Sequence, residues 1–164
     1  MYTIFVGTSL GERESEDEQQ PPEAVASAQN PEPSATQPSP SKPNVRWSGE
    51  FVAVYERTDM DSVPPSRTYY DGGDLNASWG RPKGSTVIAY FAHDAQGVKL
   101  DPGMKASPDV CVARAATHAV ETLNVEAGTR FCLVTNGGRS AVVEVKSVDL
   151  AGDEFTAQAT VWEK

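Results

Sequence analysis

Apolar and polar residues alternate most clearly near the end of the chain. In the segment 155–162, phenylalanine, alanine and valine alternate with threonine and glutamine, the period-two pattern of a strand that buries one face. The segments 130–135 and 140–148 are also rich in apolar and β-branched residues. Turn-forming residues at 136–139 and 150–153 separate the three segments, since Asn, Asp and Gly tolerate positive φ. The pattern therefore predicts an antiparallel meander of three strands.

Two earlier segments also predict strands. In residues 51–56, Phe51, Ala53 and Tyr55 fall on one face, as expected for a strand that packs against a core. Residues 86–92 are nearly all apolar or aromatic, which favours a buried central strand. The chain between these two segments is rich in Pro and Gly and predicts loops with short strands.

One helix is predicted after residue 107. Ser107 suits the N-cap, Pro108 suits the first helical position, and Asp109 places an acid in the first turn. An apolar stripe of mostly small residues follows and ends around residues 120–124. Its members are Val112, Ala115, Ala116, Ala119 and Leu123. Together the patterns predict a mainly β fold, a small antiparallel β domain of sandwich or barrel type with one short α-helix.

The composition of the chain changes near residue 46. The preceding tract contains seven of the twelve prolines, many Ser, Gln and Glu, and no aromatic residue after residue 9. Such a tract cannot bury enough apolar surface to offset its ordering entropy, roughly 1–2 kcal/mol per residue for the backbone. Residues 9–46 are therefore predicted to be a disordered stalk with a bias toward extended polyproline II geometry. Residues 47–164 are predicted to form a single β-rich globular domain.

Residues 1–8 form a short apolar segment. They are too few for a membrane span of about 20 residues, and no basic residue precedes them as in a secretory signal. The segment can be read as the exit end of a trimmed membrane anchor, as a short hydrophobic leader, or as a strand that pairs with the domain. The Pro-rich acidic spacer behind it favours the anchor.

The charge of the chain excludes two classes of partner. The chain carries 23 acidic and 14 basic residues, a formal net charge of -9, and no basic stripe with interleaved aromatic residues. Nucleic-acid binding depends largely on Lys and Arg contacts to phosphate and is not expected. Electrostatic docking on an anionic membrane is not expected either, so a membrane contact would come only through the possible anchor.

The two cysteines, Cys111 and Cys132, lie at the start of the predicted helix and in the first strand of the meander. A helix that packs back across the sheet would bring them within reach of each other, and the bond would contribute about 3 kcal/mol. A disulfide would also indicate an oxidising compartment. The alternative is a pair of buried free thiols. Zinc is poorly supported, because the two histidines lack finger-like spacing relative to the cysteines.

Four acids in the Pro- and Gly-rich region are candidate metal ligands. Asp59, Asp61, Asp71 and Asp74 offer paired oxygens in loops, an arrangement that Ca²⁺ prefers. The spacing and terminal glutamate of an EF-hand are absent, and Asp and Gly also form turns without a metal. Calcium binding is therefore a hypothesis beside the simpler one of turn formation, and no cofactor is predicted.

Three aromatic residues, Tyr69, Tyr70 and Trp79, are candidates for ligand binding. Their rings could stack on a sugar or a peptide, although packing in the core or loops is the commoner fate of such residues. Candidates for catalysis are weaker. The G-x-S-x-G motif is absent, and His118 would lie two helical turns from Cys111. The sequence therefore predicts a binding domain and no enzymatic activity.

A set of short motifs supports a resemblance to a known group of domains. The motifs are Asp59-Met60-Asp61-Ser62, Gly73-Asp74-Leu75, Ser107-Pro108 with Cys111, Gly128 with Phe131-Cys132 and Thr135, and Gly138-Arg139-Ser140-Ala141. With them, residues 47–164 resemble the extracytoplasmic C-terminal domains of uncharacterised actinobacterial membrane proteins, including receptor-type serine/threonine kinases. The resemblance implies a location in the cell envelope and carries no biochemical activity.

Two functional hypotheses follow. The first is a non-enzymatic extracytoplasmic binding or sensing domain on a disordered stalk, secreted or anchored at the cell surface. Its ligand would be an envelope component, a small molecule or a protein, bound by the loops of residues 59–79. The alternative is an intracellular interaction protein with free cysteines, whose Pro-rich tail recruits partners. A disulfide distinguishes the two.

Overall fold

The structure is a computed structural model, and it describes residues 42–164 except Tyr70, Asp71, Arg81, Gly84 and His93. The predictions for residues 1–8 and for nearly all of the 9–46 stalk therefore lie outside the described residues. The globular domain begins slightly earlier than predicted. Its first strand starts at Val45, which pairs with Trp162, and the side chain of Arg46 contacts Glu163.

The described residues form ten strands and one helix. In chain order they are β1 (Val45–Ala53), β2 (Arg57–Asp59), β3 (Ser66–Thr68), β4 (Leu75–Trp79), β5 (Val87–Phe91), β6 (Gln96–Lys99), α1 (Pro108–His118), β7 (Thr122–Val125), β8 (Arg130–Val134), β9 (Ser140–Asp149) and β10 (Glu154–Trp162). The fold is mainly β with one short helix, as the sequence predicts.

The strands pair into two antiparallel sheets of five strands each. The first sheet has the order β1-β10-β9-β8-β6, and the second has the order β3-β2-β4-β5-β7. Strands β8, β9 and β10 are neighbours in the first sheet, so the predicted meander is confirmed. Gly138 lies in the β8–β9 turn with a φ of 74°, a conformation that glycine adopts without strain. The chain crosses from the first sheet to the second directly after β1.

The two sheets share one hydrophobic core, as in a β-sandwich. Alternate residues of the first sheet, such as Phe131 and Phe155, and of the second, such as Leu75 and Phe91, are buried in it. The rings of Phe91 and Phe131 meet edge to face across the two sheets, with centroids 5.5 Å apart. Period-two alternation along each strand produces this arrangement, because successive side chains point to opposite faces of a sheet.

A second, smaller core lies on the other face of the first sheet, under α1. Ser107 caps the helix by accepting a hydrogen bond from the N–H of Val110, and Pro108 occupies the first turn, as predicted. Cys111 and Ala115 are the buried residues of the helix. Cys111 is disulfide-bonded to Cys132 of β8, with Cα atoms 5.2 Å apart. The predicted disulfide is therefore present and joins the helix to the sheet.

Three boundaries differ from those predicted. The strand predicted at 51–56 ends at Ala53, so Tyr55 does not share the buried face and is 65% exposed. The helix ends at His118, because Ala119 adopts extended backbone with a ψ of 142°. Leu123, assigned to the helical stripe, instead pairs with Ala89 in β7. Among the described residues, no helix is long and apolar enough to cross a membrane.

Candidate functional site

A groove of about 670 Å³ crosses the outer face of the second sheet. Three tyrosines line it together with charged, amide and hydroxyl side chains. The lining residues are Tyr55, Glu56, Arg57, Thr68, Tyr69, Asn76, Ser78 and Tyr90. They come from the crossover after β1 and from β2 to β5, so the groove depends on four of the five strands of the sheet.

Strand alternation explains why polar and aromatic side chains reach this face. In β4, Leu75 and Ala77 point into the core, so Asn76 and Ser78 point to the opposite face. Tyr90 of β5 lies directly opposite Asn76 in the antiparallel register. An amide and an aromatic ring are thereby placed side by side in the lining of the groove.

Trp79 supports one wall of the groove. Its ring stacks on that of Tyr55, with centroids 6.1 Å apart and planes inclined by 9°. The ammonium group of Lys83 lies 5.1 Å from the centroid of the Trp79 ring, within the range of a cation–π contact. Tyr55 is therefore oriented by a neighbour although most of its surface is exposed.

The structure places the predicted aromatic residues in different positions. Tyr69 lines the groove and is 78% exposed, whereas Trp79 lies behind Tyr55. Tyr70 lies outside the described residues. The sequence did not single out Tyr55 or Tyr90, because their apolar neighbours suggested buried strands. The signal for Tyr90 is its alternation with Ala89 and Phe91, both buried.

The candidate metal ligands also come together in part. Asp59, Asp61 and Asp74 each place a carboxylate oxygen within 4.8 Å of the others. Asp71 lies outside the described residues. Asp59 accepts hydrogen bonds from the backbone N–H of Asp61 and the hydroxyl of Ser62, at 2.8 and 2.6 Å. These contacts form the turn after β2, which matches the simpler of the two hypotheses for this acid.

Asp74 is fully buried and connects the two sheets. Its Oδ2 accepts the backbone N–H of Met60 at 2.8 Å, and its Oδ1 accepts that of Asn136 in the β8–β9 turn at 2.7 Å. Burial, with a smaller contribution from the nearby charges of Asp61 and Asp59, raises the pKa of Asp74 from 3.8 to about 6, against the opposing effect of the two N–H donors.

Asp61 makes a second connection to the same turn. Its carboxylate accepts hydrogen bonds from the hydroxyl of Thr135, the N–H of Gly137 and the guanidinium of Arg139, at 2.8, 2.8 and 2.9 Å.

Arg139 also contacts Glu163, which is paired with Arg46 at 2.9 Å. The hydrogen bond from Arg46, assisted by Arg139, lowers the pKa of Glu163.

Within the cluster of Asp59, Asp61 and Asp74, the last two thus accept hydrogen bonds from N–H groups that point toward the carboxylates. Such donors stabilise the carboxylates in the place of a cation and connect the β2–β4 region to the β8–β9 turn. The cluster has an evident structural role, and calcium binding at Asp59, Asp61 and Asp74 stays a prediction.

The cysteines and His118 do not form a catalytic pair. Cys111 and Cys132 are both buried and bonded to each other, so neither has a thiol. His118 is exposed at the end of α1, where its Nδ1 lies 2.6 Å from the hydroxyl of Thr117. A second cavity, of about 480 Å³, lies beside α1 and includes Val112, Ser140 and Lys164 in its lining.

Comparison with known proteins adds no functional information. No family model, curated protein or solved structure matches the chain.

Proposed function

We propose that this protein is a non-enzymatic, extracytoplasmic binding domain whose ligand site is the groove on the second sheet. The observation that carries the proposal is the convergence of Tyr55, Tyr69 and Tyr90 with five polar side chains on one concave surface. Large exposed aromatic residues are costly to leave in water, and a cluster of them beside polar groups is typical of binding sites.

The chemistry of the groove favours binding over catalysis. Among the described residues that line it, Glu56 is the one carboxylate, and histidine and cysteine are absent. A hydrolytic site normally needs an acid and a base, or a nucleophile and a base, within reach of the same bond. Asp74, whose pKa is raised, does not serve as a second acid or base beside Glu56. Its carboxylate is buried, accepts hydrogen bonds from backbone amides and lies outside the groove lining.

The disulfide supports an extracytoplasmic location. Disulfides persist in oxidising compartments and are rare in reducing ones. The bond between Cys111 and Cys132 is compatible with such a location and removes the free-thiol premise of the intracellular alternative. We propose an envelope component, a small molecule or a protein as the ligand, displayed to the domain outside the membrane.

Two experiments test the proposal. In the first, the gene for alkaline phosphatase, an enzyme that is active only where disulfides form, is inserted after the Lys164 codon of the native gene, so that any upstream segment is expressed with the domain. Phosphatase activity is expected. An extracytoplasmic location would be contradicted if this fusion lacked phosphatase activity while a matched β-galactosidase fusion was active.

In the second experiment, the full chain is screened against a few hundred small fragments by amide NMR. Fragment-induced shifts are expected to cluster at Tyr69, Asn76 and Tyr90. Shifts confined to the cavity beside α1, near Val112, or the absence of any shifts would contradict the groove as the binding site.

A further inference from the structure

We infer that the groove binds a neutral oligosaccharide; this inference rests on the proposed function and specifies its ligand class. Four neighbouring strands, in the order β3-β2-β4-β5, contribute to the groove, and their groove residues lie on the outer face of the sheet. Three strand spacings amount to about 14 Å, which suits a short chain of sugar rings better than a single ring.

The tyrosines supply the surfaces on which sugar rings stack. Tyr55, Tyr69 and Tyr90 are 65%, 78% and 40% exposed, so their rings are accessible to a ligand. The C–H bonds on one face of a pyranose ring carry partial positive charge, and the face of an aromatic ring is electron-rich. The stack of Tyr55 on Trp79 holds one of these surfaces in place before binding, which reduces the entropy lost when the ligand binds.

The polar residues of the groove suit hydroxyl groups. Glu56 offers only acceptors, Asn76 offers both donors and acceptors, and Ser78 offers a hydroxyl. The amide of Asn76 donates to the carbonyl of Ala77 at 3.3 Å, which fixes the direction of its Oδ1. A sugar hydroxyl both donates and accepts, so adjacent hydroxyls can match a mixed set of this kind.

The charge of the groove favours a neutral ligand. Glu56 and Arg57 carry opposite charges, and the remaining lining residues are uncharged at neutral pH. The chain as a whole has a net charge of -9, which disfavours an anionic ligand. A Pro-rich peptide, the other common ligand of tyrosine-lined grooves, has no N–H at its prolines and so offers fewer donors to the Glu56 carboxylate than a sugar with several hydroxyls does.

The test is a titration of the isotope-labelled full chain with three neutral tetrasaccharides, made of glucose, mannose and N-acetylglucosamine. At least one is expected to shift the amide resonances of Tyr55, Asn76 and Tyr90 and to bind at least tenfold more tightly than its monosaccharide. Tyr69→Ala and Tyr90→Ala are expected to weaken binding at least tenfold. Val112→Ala, which removes an exposed side chain on α1, is the matched control and is expected to bind normally.

The outcomes separate this inference from the proposed function. A peptide of residues 28–45 of this chain serves as the second probe. If the peptide or the fragments shift resonances of the groove and none of the tetrasaccharides does, an oligosaccharide is ruled out as the ligand, and the proposed binding function still stands. The groove would be ruled out as the saccharide site if wild type and both tyrosine variants bound the tetrasaccharide with equal affinity. Amide spectra that are unchanged elsewhere would show that the variants are folded.

Discussion

The carboxylate of Asp74 accepts the backbone N–H of Asn136 at 2.7 Å and so connects the start of β4 to the β8–β9 turn of the opposite sheet. The two residues are 62 positions apart in the chain. The bond forms beside the connections of Asp61 to the same turn, so one end of the sandwich is closed by a network of acids and amides.

We expect Asp74→Ala to destabilise the domain by about 1–2 kcal/mol at pH 5. The N–H of Met60, which is fully buried, would lose its acceptor, and an unsatisfied buried donor costs about 1–3 kcal/mol. The raised pKa of Asp74 leaves most of its carboxyl protonated at this pH, so little buried charge is removed with it. The measurement is urea unfolding of the variant beside wild type. Asp94→Asn, which alters an exposed acid, is the control, and an equal effect of both substitutions would refute the role of Asp74.

The contribution of Asp74 is expected to depend on pH in the sense opposite to that of a salt-bridged acid. Its folded-state pKa of about 6 lies above the usual 3.8, so the folded state binds the proton more tightly than the unfolded state. The buried charge therefore lowers stability by roughly 3 kcal/mol above pH 6, and this penalty disappears as the pH falls toward 4.

The difference in unfolding free energy between wild type and Asp74→Ala isolates this titration. It is expected to increase by about 1 kcal/mol from pH 7 to pH 5, because only wild type gains the proton there. Other acids titrate in both proteins and largely cancel from the difference. A difference that stays constant or shrinks over this interval would show that the pKa of Asp74 is not raised.

Loss of the disulfide is expected to destabilise the domain by about 3 kcal/mol, since the two cysteines are 21 residues apart. The measurement is urea unfolding of wild type with and without reductant, and of the Cys111→Ala/Cys132→Ala variant. Intact mass after alkylation without reductant should show no adduct. The reductant is expected to leave the unfolding midpoint of the double variant unchanged. If it also left the midpoint of wild type unchanged, the disulfide would be contradicted.

Gly97→Ala is expected to destabilise the domain by about 1–3 kcal/mol. A Cβ at Gly97 would collide with the ring of Phe91 on the opposite sheet, and that ring packs edge to face on Phe131 in the core. Gly152→Ala is the matched control, because the nearest atom to its Cβ would be the exposed carboxylate of Asp149 at 3.0 Å. Thermal unfolding of both variants decides the question, and similar midpoints would contradict the collision.

Arg139→Met is expected to lower the thermal midpoint more than Lys146→Met does. Arg139 connects Asp61 to Glu163 and is largely covered, whereas Lys146 pairs with Glu144, two residues away on the surface. Exposed pairs of the second kind contribute little to stability. Equal shifts in the two variants would indicate that the network around Asp61 is no stronger than a surface pair.

Local signals in the sequence account for the parts of the fold that were predicted correctly. Ser107 and Pro108 mark the start of the helix because capping depends on neighbouring residues alone, and the alternation in 155–162 reflects a strand with one buried face. The end of the helix was missed because Leu123 continues the apolar stripe, while Ala119 leaves the helical conformation.

The groove could not be predicted, because it depends on the pairing of distant strands. Asn76 and Tyr90 face each other only through the register of β4 and β5. Tyr55 continues the alternation of β1, yet the strand ends at Ala53 and the chain turns toward the other sheet. Tyr69 was found from its type and its turn-rich surroundings, which are local properties.

The path of β1 has a mechanical consequence. Its hydrogen bonds to β10 run from Val45 to Ala53, and Tyr55 of the groove follows two residues later. The bonds of an antiparallel pair lie perpendicular to the strands. A pull on the chain ahead of Val45, resisted by a ligand held at Tyr55, would therefore be carried by the covalent backbone of β1, at right angles to its bonds to β10. The strand that joins the tract before Val45 to the groove is thus placed to transmit tension without being peeled from its neighbour.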